Sequence, residues 1–136
     1  MVLVDTTVWS IALRRRPEVP GEAEARVARE WAELVRDGRV RIIGPIRQEI
    51  LSGIRDERRF KILRDHLSAF PDVEIMPQDY VEAALFFNRC RSAGVSGAHV
   101  DMLICAVAAR NTWPIFTLDD DFPRYAQWLP IQLHRP

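Results

Sequence analysis

The chain opens on a short unbroken apolar run, Val2-Leu3-Val4, that stops at a carboxylate, Asp5. A run without alternation suits a strand covered on both faces of a parallel sheet. After it, apolar residues return every three or four positions, the period of a helix. Residues 6–13 fit a short helix, with Asp5, Thr6 and Thr7 as its capping groups. Pro17, Pro20 and Gly21 mark a loop. Ala23, Val27, Trp31, Leu34 and Val35 mark a helix over 22–37, with acids early, Arg36 late and Gly38 as its stop.

A second strand over 39–43 runs into Gly44-Pro45, and proline at a first helical position is a start signal. The helix over 45–55 carries Ile46, Ile50, Leu51 and Ile54 on one side. Asp56 caps the next helix, which carries Phe60, Leu63, Leu67 and Phe70 and breaks at Pro71. Residues 73–76 read as a third strand. Residues 77–93 read as a helix with Val81, Ala84, Leu85, Asn88 and Cys90 near one face. Residues 98–110 form the most apolar helix, a pattern that implies burial on most sides. A fourth strand over 114–118 and an edge strand over 131–134 complete the chain. Strands alternating with helices imply parallel pairing and right-handed crossovers. The expected fold is α/β, a three-layer α/β/α sandwich on a small parallel sheet.

Composition narrows the class. A length of 136 residues suits one domain, 1–136, with one core. With 48% hydrophobic and 28% charged residues, neither a disordered nor a membrane class is indicated. No apolar run approaches the roughly 20 residues that span a bilayer, and no basic leader precedes the first strand. The sequence therefore reads as cytoplasmic, without a membrane partner. Cys90 and Cys105 lie in apolar helical contexts, so a buried hydrophobic role fits better than a disulfide or a zinc site. The net charge of +0 does not by itself mark a nucleic-acid binder. The positive charge is nearly all arginine, Lys61 being the sole lysine. Arginine suits bidentate phosphate contact, but compositional bias produces the same excess.

Four acids stand where the fold does not ask for them. Asp5 ends the first strand and Asp119 the fourth. Glu49 lies early in the helix after the second strand, and Asp101 early in the buried helix. Strand C-termini and the N-termini of the following helices share one edge of a parallel sheet. All four acids therefore point to one rim. Each alone has a structural reading: a turn, a cap, or an offset to a helix N-terminus. Asp101 fits that reading least, because Ile104, Cys105 and Ala108 on its side of the helix belong to the core stripe. Carboxylates packed together repel, and a divalent cation with oxygen ligands removes that cost.

The stretches Val4-Asp5-Thr6-Thr7-Val8-Trp9, Gly44-Pro45 with Glu49, Val100 to Ala106 with Asp101, and Ile115 to Phe122 together resemble the PIN domain. Within that family they resemble the VapC toxins of bacterial toxin–antitoxin pairs, over essentially the whole chain. The resemblance implies a Mg²⁺- or Mn²⁺-dependent endoribonuclease acting as the toxin of a type II pair. It implies Asp5, Glu49, Asp101 and Asp119 as catalytic acids, with Asp5, Asp101 and Asp119 as metal ligands. Asp121, Thr7 and Thr117 match auxiliary positions, and the first strand is expected mid-sheet. It also implies an RNA substrate, a VapB-like antitoxin and a homodimer. Arg14, Arg15, Arg16 and Arg47 are the candidate RNA contacts, with a solvated basic face as the alternative. His66, His99 and His134 match no motif position.

Other families that place acids on a parallel-sheet rim fit poorly. A haloacid-dehalogenase-like phosphatase needs a second acid two residues after the first, where this chain has Thr7. A receiver domain needs a lysine near its end, and Lys61 is mid-chain. Within the PIN family, a non-toxin nuclease of RNA processing and a non-catalytic RNA- or protein-binding module are the alternatives.

Overall fold

The sheet is built outward from the first strand. The computed structural model describes residues 1–13 and 21–136. Strand β1 (Val2–Val4) pairs in parallel with β2 (Val40–Arg41) on one side and β3 (Ile115–Phe116) on the other, giving the order β2-β1-β3. The first strand is therefore central, as expected, and all three of its residues are fully buried. Two isolated parallel bridges, Ile42 to Asp72 and Ile115 to Leu133, extend the sheet at its edges.

Among the described residues, seven helices connect and cover the strands. They are α1 (Thr6–Ala12), α2 (Glu22–Arg36), α3 (Gly44–Leu51), α4 (Glu57–Leu67), α5 (Pro77–Ser92), α6 (His99–Asn111) and α7 (Asp121–Tyr125). Helix α1 packs on α2 and α3, and α3 on α4, while α5 and α6 pack on each other. The fold is the expected α/β sandwich, with helices packed about a small parallel sheet. Its core runs from β1 through Val8 and Trp9 to residues 102–108 of α6, all buried. Trp9 anchors one side: its indole N–H donates to the Val4 carbonyl at 3.0 Å, and Trp31 and Phe70 pack edge-on or tilted around it.

Local signals worked where they were specific. Gly38 ends α2 with a φ of +69°, a conformation that favours glycine. Asp56 caps α4 by accepting the Arg58 backbone N–H at 3.0 Å.

Four expectations need correction. Residues 73–76 are not a strand; only the bridge at Asp72 survives, and Met76 already caps α5. The edge strand expected over 131–134 is likewise a single bridge at Leu133. On α5 the stripe Val81, Ala84, Leu85 and Asn88 faces outward, while Asp79, Ala83, Phe86 and Cys90 are buried. Counting apolar residues picked the wrong side because the buried face contains a charged residue, Asp79. The threonines do not cap α1. Asp5 holds the cap position without capping through its side chain, and the Thr6 and Thr7 hydroxyls donate instead to Glu49 and to Asp5. Cys90 and Cys105 are free and buried, as expected.

Candidate metal centre

Parallel pairing brings the C-terminal ends of β1 and β3 to one rim, beside the start of α6. Asp5 follows Val4 directly and is only 6% exposed. Its Oδ2 accepts the hydroxyls of Thr117 at 2.8 Å and Thr7 at 3.1 Å. The two threonine oxygens lie 3.4 Å apart. Thr7 accepts the Leu118 backbone N–H, and Thr117 accepts that of Asp119. One hydroxyl pair therefore ties the end of β1 to the loop after β3. Burial raises the Asp5 carboxyl above its ordinary range, against hydrogen bonds from Thr117, Thr6 and Thr7, and the charge on Glu49 adds to the rise.

Asp101, Asp119 and Asp121 converge. One oxygen from each lies within 4.8 Å of the others. Helix α7 makes this possible: Asp119 Oδ1 accepts the Asp121 N–H at 2.9 Å, which turns the chain after β3 into a helical start. Asp101 also accepts a hydrogen bond from the buried Tyr125 hydroxyl at 2.8 Å. Burial pushes its carboxyl up to about 6, with Tyr125 opposing and the charges on Asp119, Asp5 and Asp121 adding. Burial, followed by the Asp101 hydrogen bond, pushes the Tyr125 phenol far above its usual range.

Among the described residues no ion pair reaches Asp5, Asp101 or Asp119, and Asp121 has only a loose contact to Arg124 at 3.9 Å. A set of hard oxygen donors without a protein cation to neutralise them fits Mg²⁺ or Mn²⁺. The repulsion recorded in Asp101 is what a divalent ion would relieve.

The sequence-derived residues fall into three groups. Asp5, Asp101, Asp119, Thr7 and Thr117 share the rim, and Asp121, read only as auxiliary, joins Asp101 and Asp119 directly. Glu49 lies apart from that trio; it is exposed and receives the Thr6 hydroxyl at 2.9 Å. Arg47 is committed to the protein itself: Nε donates to Asp72 at 2.8 Å and the terminal nitrogens to the Leu67 and Phe70 carbonyls. That geometry makes it a structural staple between α3 and the segment after α4, which argues against its expected part in RNA contact. Arg14, Arg15 and Arg16 lie outside the described residues. Tyr125 escaped the sequence reading. Its only sequence signal is a four-residue spacing from Asp121, which puts both on one side of α7.

A small parallel sheet with an acid cluster at its C-terminal rim places the chain in the α/β class, with a site that could hold a divalent cation. The chain belongs to the PIN-domain family, whose model matches residues 2–127. It is 28% identical over 134 residues to Ribonuclease VapC11 of Mycobacterium tuberculosis, covering 97% of this chain and 96% of that one. The same figures hold for a VapC ribonuclease of Mycobacterium bovis. Among solved structures, FitAcB from Neisseria gonorrhoeae superposes with a TM-score of 0.78 at 19% identity, covering 100% and 98% of the two chains. VapBC2 from Rickettsia felis, bound to a promoter DNA fragment, superposes with a TM-score of 0.76 at 15% identity, covering 98% of each.

Proposed function

We propose that this chain is a Mg²⁺- or Mn²⁺-dependent endoribonuclease that acts as the toxin of a type II toxin–antitoxin pair. The observation that carries the reading is the convergence of Asp101, Asp119 and Asp121 beside buried Asp5, where among the described residues the one cation in reach is Arg124, 3.9 Å from Asp121. The relatives named as VapC ribonucleases, matched over nearly their full length, support the same chemistry.

In this reading Asp5, Asp101 and Asp119 hold the cation, and Asp121 adds a carboxylate beside Asp101 and Asp119. A bound divalent ion would supply an acidified water and neutralise charge developing on the scissile phosphate. The protein's own task is to keep its carboxylates ionised and aimed. Thr117 and Thr7 hold one oxygen of Asp5 and Tyr125 one of Asp101. Glu49, steadied by Thr6, brings a further carboxylate from α3. No serine, cysteine or histidine nucleophile is required.

The partners are an RNA substrate, a VapB-like antitoxin and a second copy of the chain. A groove beside α1 and α4, lined by Ala12, Leu13, Ile54, Ile62 and Leu63 together with Arg59 and His66, suits an antitoxin segment. Tyr80, Val81, Leu85 and Val100 form an exposed apolar face on α5 and α6 that suits the second copy. Among the described residues no helix is long and apolar enough to cross a membrane.

The test is RNA cleavage by the purified chain with Mg²⁺, with EDTA, and by the Asp5→Asn and Asp101→Asn variants. The reading expects cleavage that EDTA stops and a fall of at least about 100-fold in each folded variant, as for loss of one key electrostatic group. Cleavage that persists in EDTA, or at full rate in Asp101→Asn, overturns it.

A further inference from the structure

Asp101 needs more than a place in the sequence to serve a cation. Its side chain must stand in one rotamer although three like charges push on it. Among the described residues one side-chain donor reaches it, the Tyr125 hydroxyl, which donates to Oδ2 at 2.8 Å.

The tyrosine is itself tightly fixed. It is fully buried, and its ring packs edge-on against Phe122 with centroids 5.2 Å apart. Gly97, just before α6, comes so close that a Cβ there would lie 3.4 Å from the Tyr125 ring and hydroxyl, and 2.6 Å from Met102 Cε. The start of α7 is fixed in turn by the Asp121 N–H on Asp119 Oδ1. Asp121 and Tyr125, one turn apart, therefore reach the cluster from the same side of α7. One residue brings a carboxylate and the other a neutral donor. A carboxylate oxygen has two lone pairs, so a single hydrogen bond orients Asp101 and leaves it able to bind a cation.

We propose that Tyr125 is a positioning residue of the acid cluster, its buried hydroxyl fixing the Asp101 carboxylate in the orientation that binds the divalent ion. The proposal rests on the metal-dependent reading above. Partners that orient a metal ligand typically contribute 10–100-fold in metal affinity or activity. A neutral donor suits this task better than arginine or lysine, because it steers the carboxylate without taking the ion's place.

The experiment is a calorimetric Mn²⁺ titration of the apo protein, with thermal melts in EDTA. Tyr125→Phe keeps the ring and removes only the donor. It is expected to weaken Mn²⁺ binding by about 10-fold or more and to shift the Mg²⁺ needed for half-maximal RNA cleavage upward. Phe122→Leu loosens the same packing without touching the hydroxyl. It is expected to melt lower and to bind Mn²⁺ as the wild type does. Unchanged Mn²⁺ affinity in Tyr125→Phe overturns the proposal. So does an equal loss in Phe122→Leu, which would make the tyrosine's role one of packing. Asp101→Asn separates the two levels: if it binds Mn²⁺ as tightly as the wild type, the metal-site reading has failed, whatever Tyr125 does.

Discussion

Asp79 and Asp101 are each the third residue of a helix, Asp79 in α5 and Asp101 in α6, and the fold treats them in opposite ways. Asp79 is only 2% exposed and fully provided for. Both Arg110 Nε and Nη2 donate to it, at 2.7 and 2.9 Å, and the Met76 N–H adds a third bond at 2.8 Å. Burial alone would raise its carboxyl, but Arg110 and Met76 hold it below the ordinary range. Asp101 has one neutral donor and three negative neighbours, and burial pushes it up to about 6. An acid in the first turn of a helix is ordinary. What separates a structural acid from a candidate ligand is the partner that another element brings. The far end of α6 supplies Arg110 to the start of α5; no described residue supplies a cation to the start of α6.

The comparison breaks most directly at Asp79. Asp79→Ala leaves the Arg110 guanidinium without its partner and the Met76 N–H without its acceptor. Removing one member of a buried pair typically costs 3–5 kcal/mol, and Arg110 keeps some access to water, so about 3 kcal/mol is expected. The loss should be present above pH 4 and fade below it, because a depressed carboxyl contributes stability only where the unfolded group would be ionised. Urea unfolding of both proteins at pH 7 and pH 3 measures this. A gap that widens toward acid contradicts the assignment.

Asp101 should behave with the reverse sign. Its raised carboxyl means the folded state holds a proton that the unfolded state releases between pH 3.8 and about 6. Without metal, the wild type therefore loses stability as pH rises through that window. Asp101→Asn has no charge to bury and can still accept the Tyr125 bond. In EDTA at pH 7 it should be more stable than the wild type by about 2 kcal/mol, from 1.36 kcal/mol per pKa unit with a discount for partial exposure. The advantage should vanish near pH 4 and reverse in excess Mg²⁺, which stabilises only the state that binds it. A variant less stable than the wild type in EDTA at pH 7 would show that Asp101 is compensated after all.

The same contrast explains what the sequence could reveal. The apolar run before Asp5, the helical periods and the four acids are local patterns, and β1 and the shared rim followed from them; the central place of β1 came with the family resemblance, because pattern alone does not order strands. The rest depends on residues far apart in the chain. Asp79 meets Arg110 across 31 positions and Asp5 meets Thr117 across 112. No periodicity records either. Helix α7 is five residues long, too short for a period to show, and it opens in the Asp119-Asp120-Asp121 run, which reads locally as a turn. The outward stripe of α5 was misplaced because buried Asp79 counted as polar in any local reading. Tyr125 was missed because a buried tyrosine looks like core until the atom its hydroxyl reaches is known.

The smallest effect expected is at Thr117, and it asks whether Asp5 sides with Asp79 or with Asp101. The Thr117 hydroxyl donates to Asp5 at 2.8 Å and accepts the Asp119 N–H at 3.0 Å, so it couples two of the rim acids. Thr117→Val keeps the shape and removes both bonds. Thr7 still donates to Asp5, which limits the damage. A net hydrogen bond contributes about 1 kcal/mol, so a loss near that size is expected in EDTA. Asp5, already raised by burial, should rise further without its nearest donor, so Mn²⁺ binding should weaken most at low pH and recover as pH rises. Calorimetric titration of Thr117→Val at pH 6 and pH 8 measures that difference. Equal affinity to the wild type at both values would mean that Asp5 is a buried structural acid like Asp79, and that the cluster works without it.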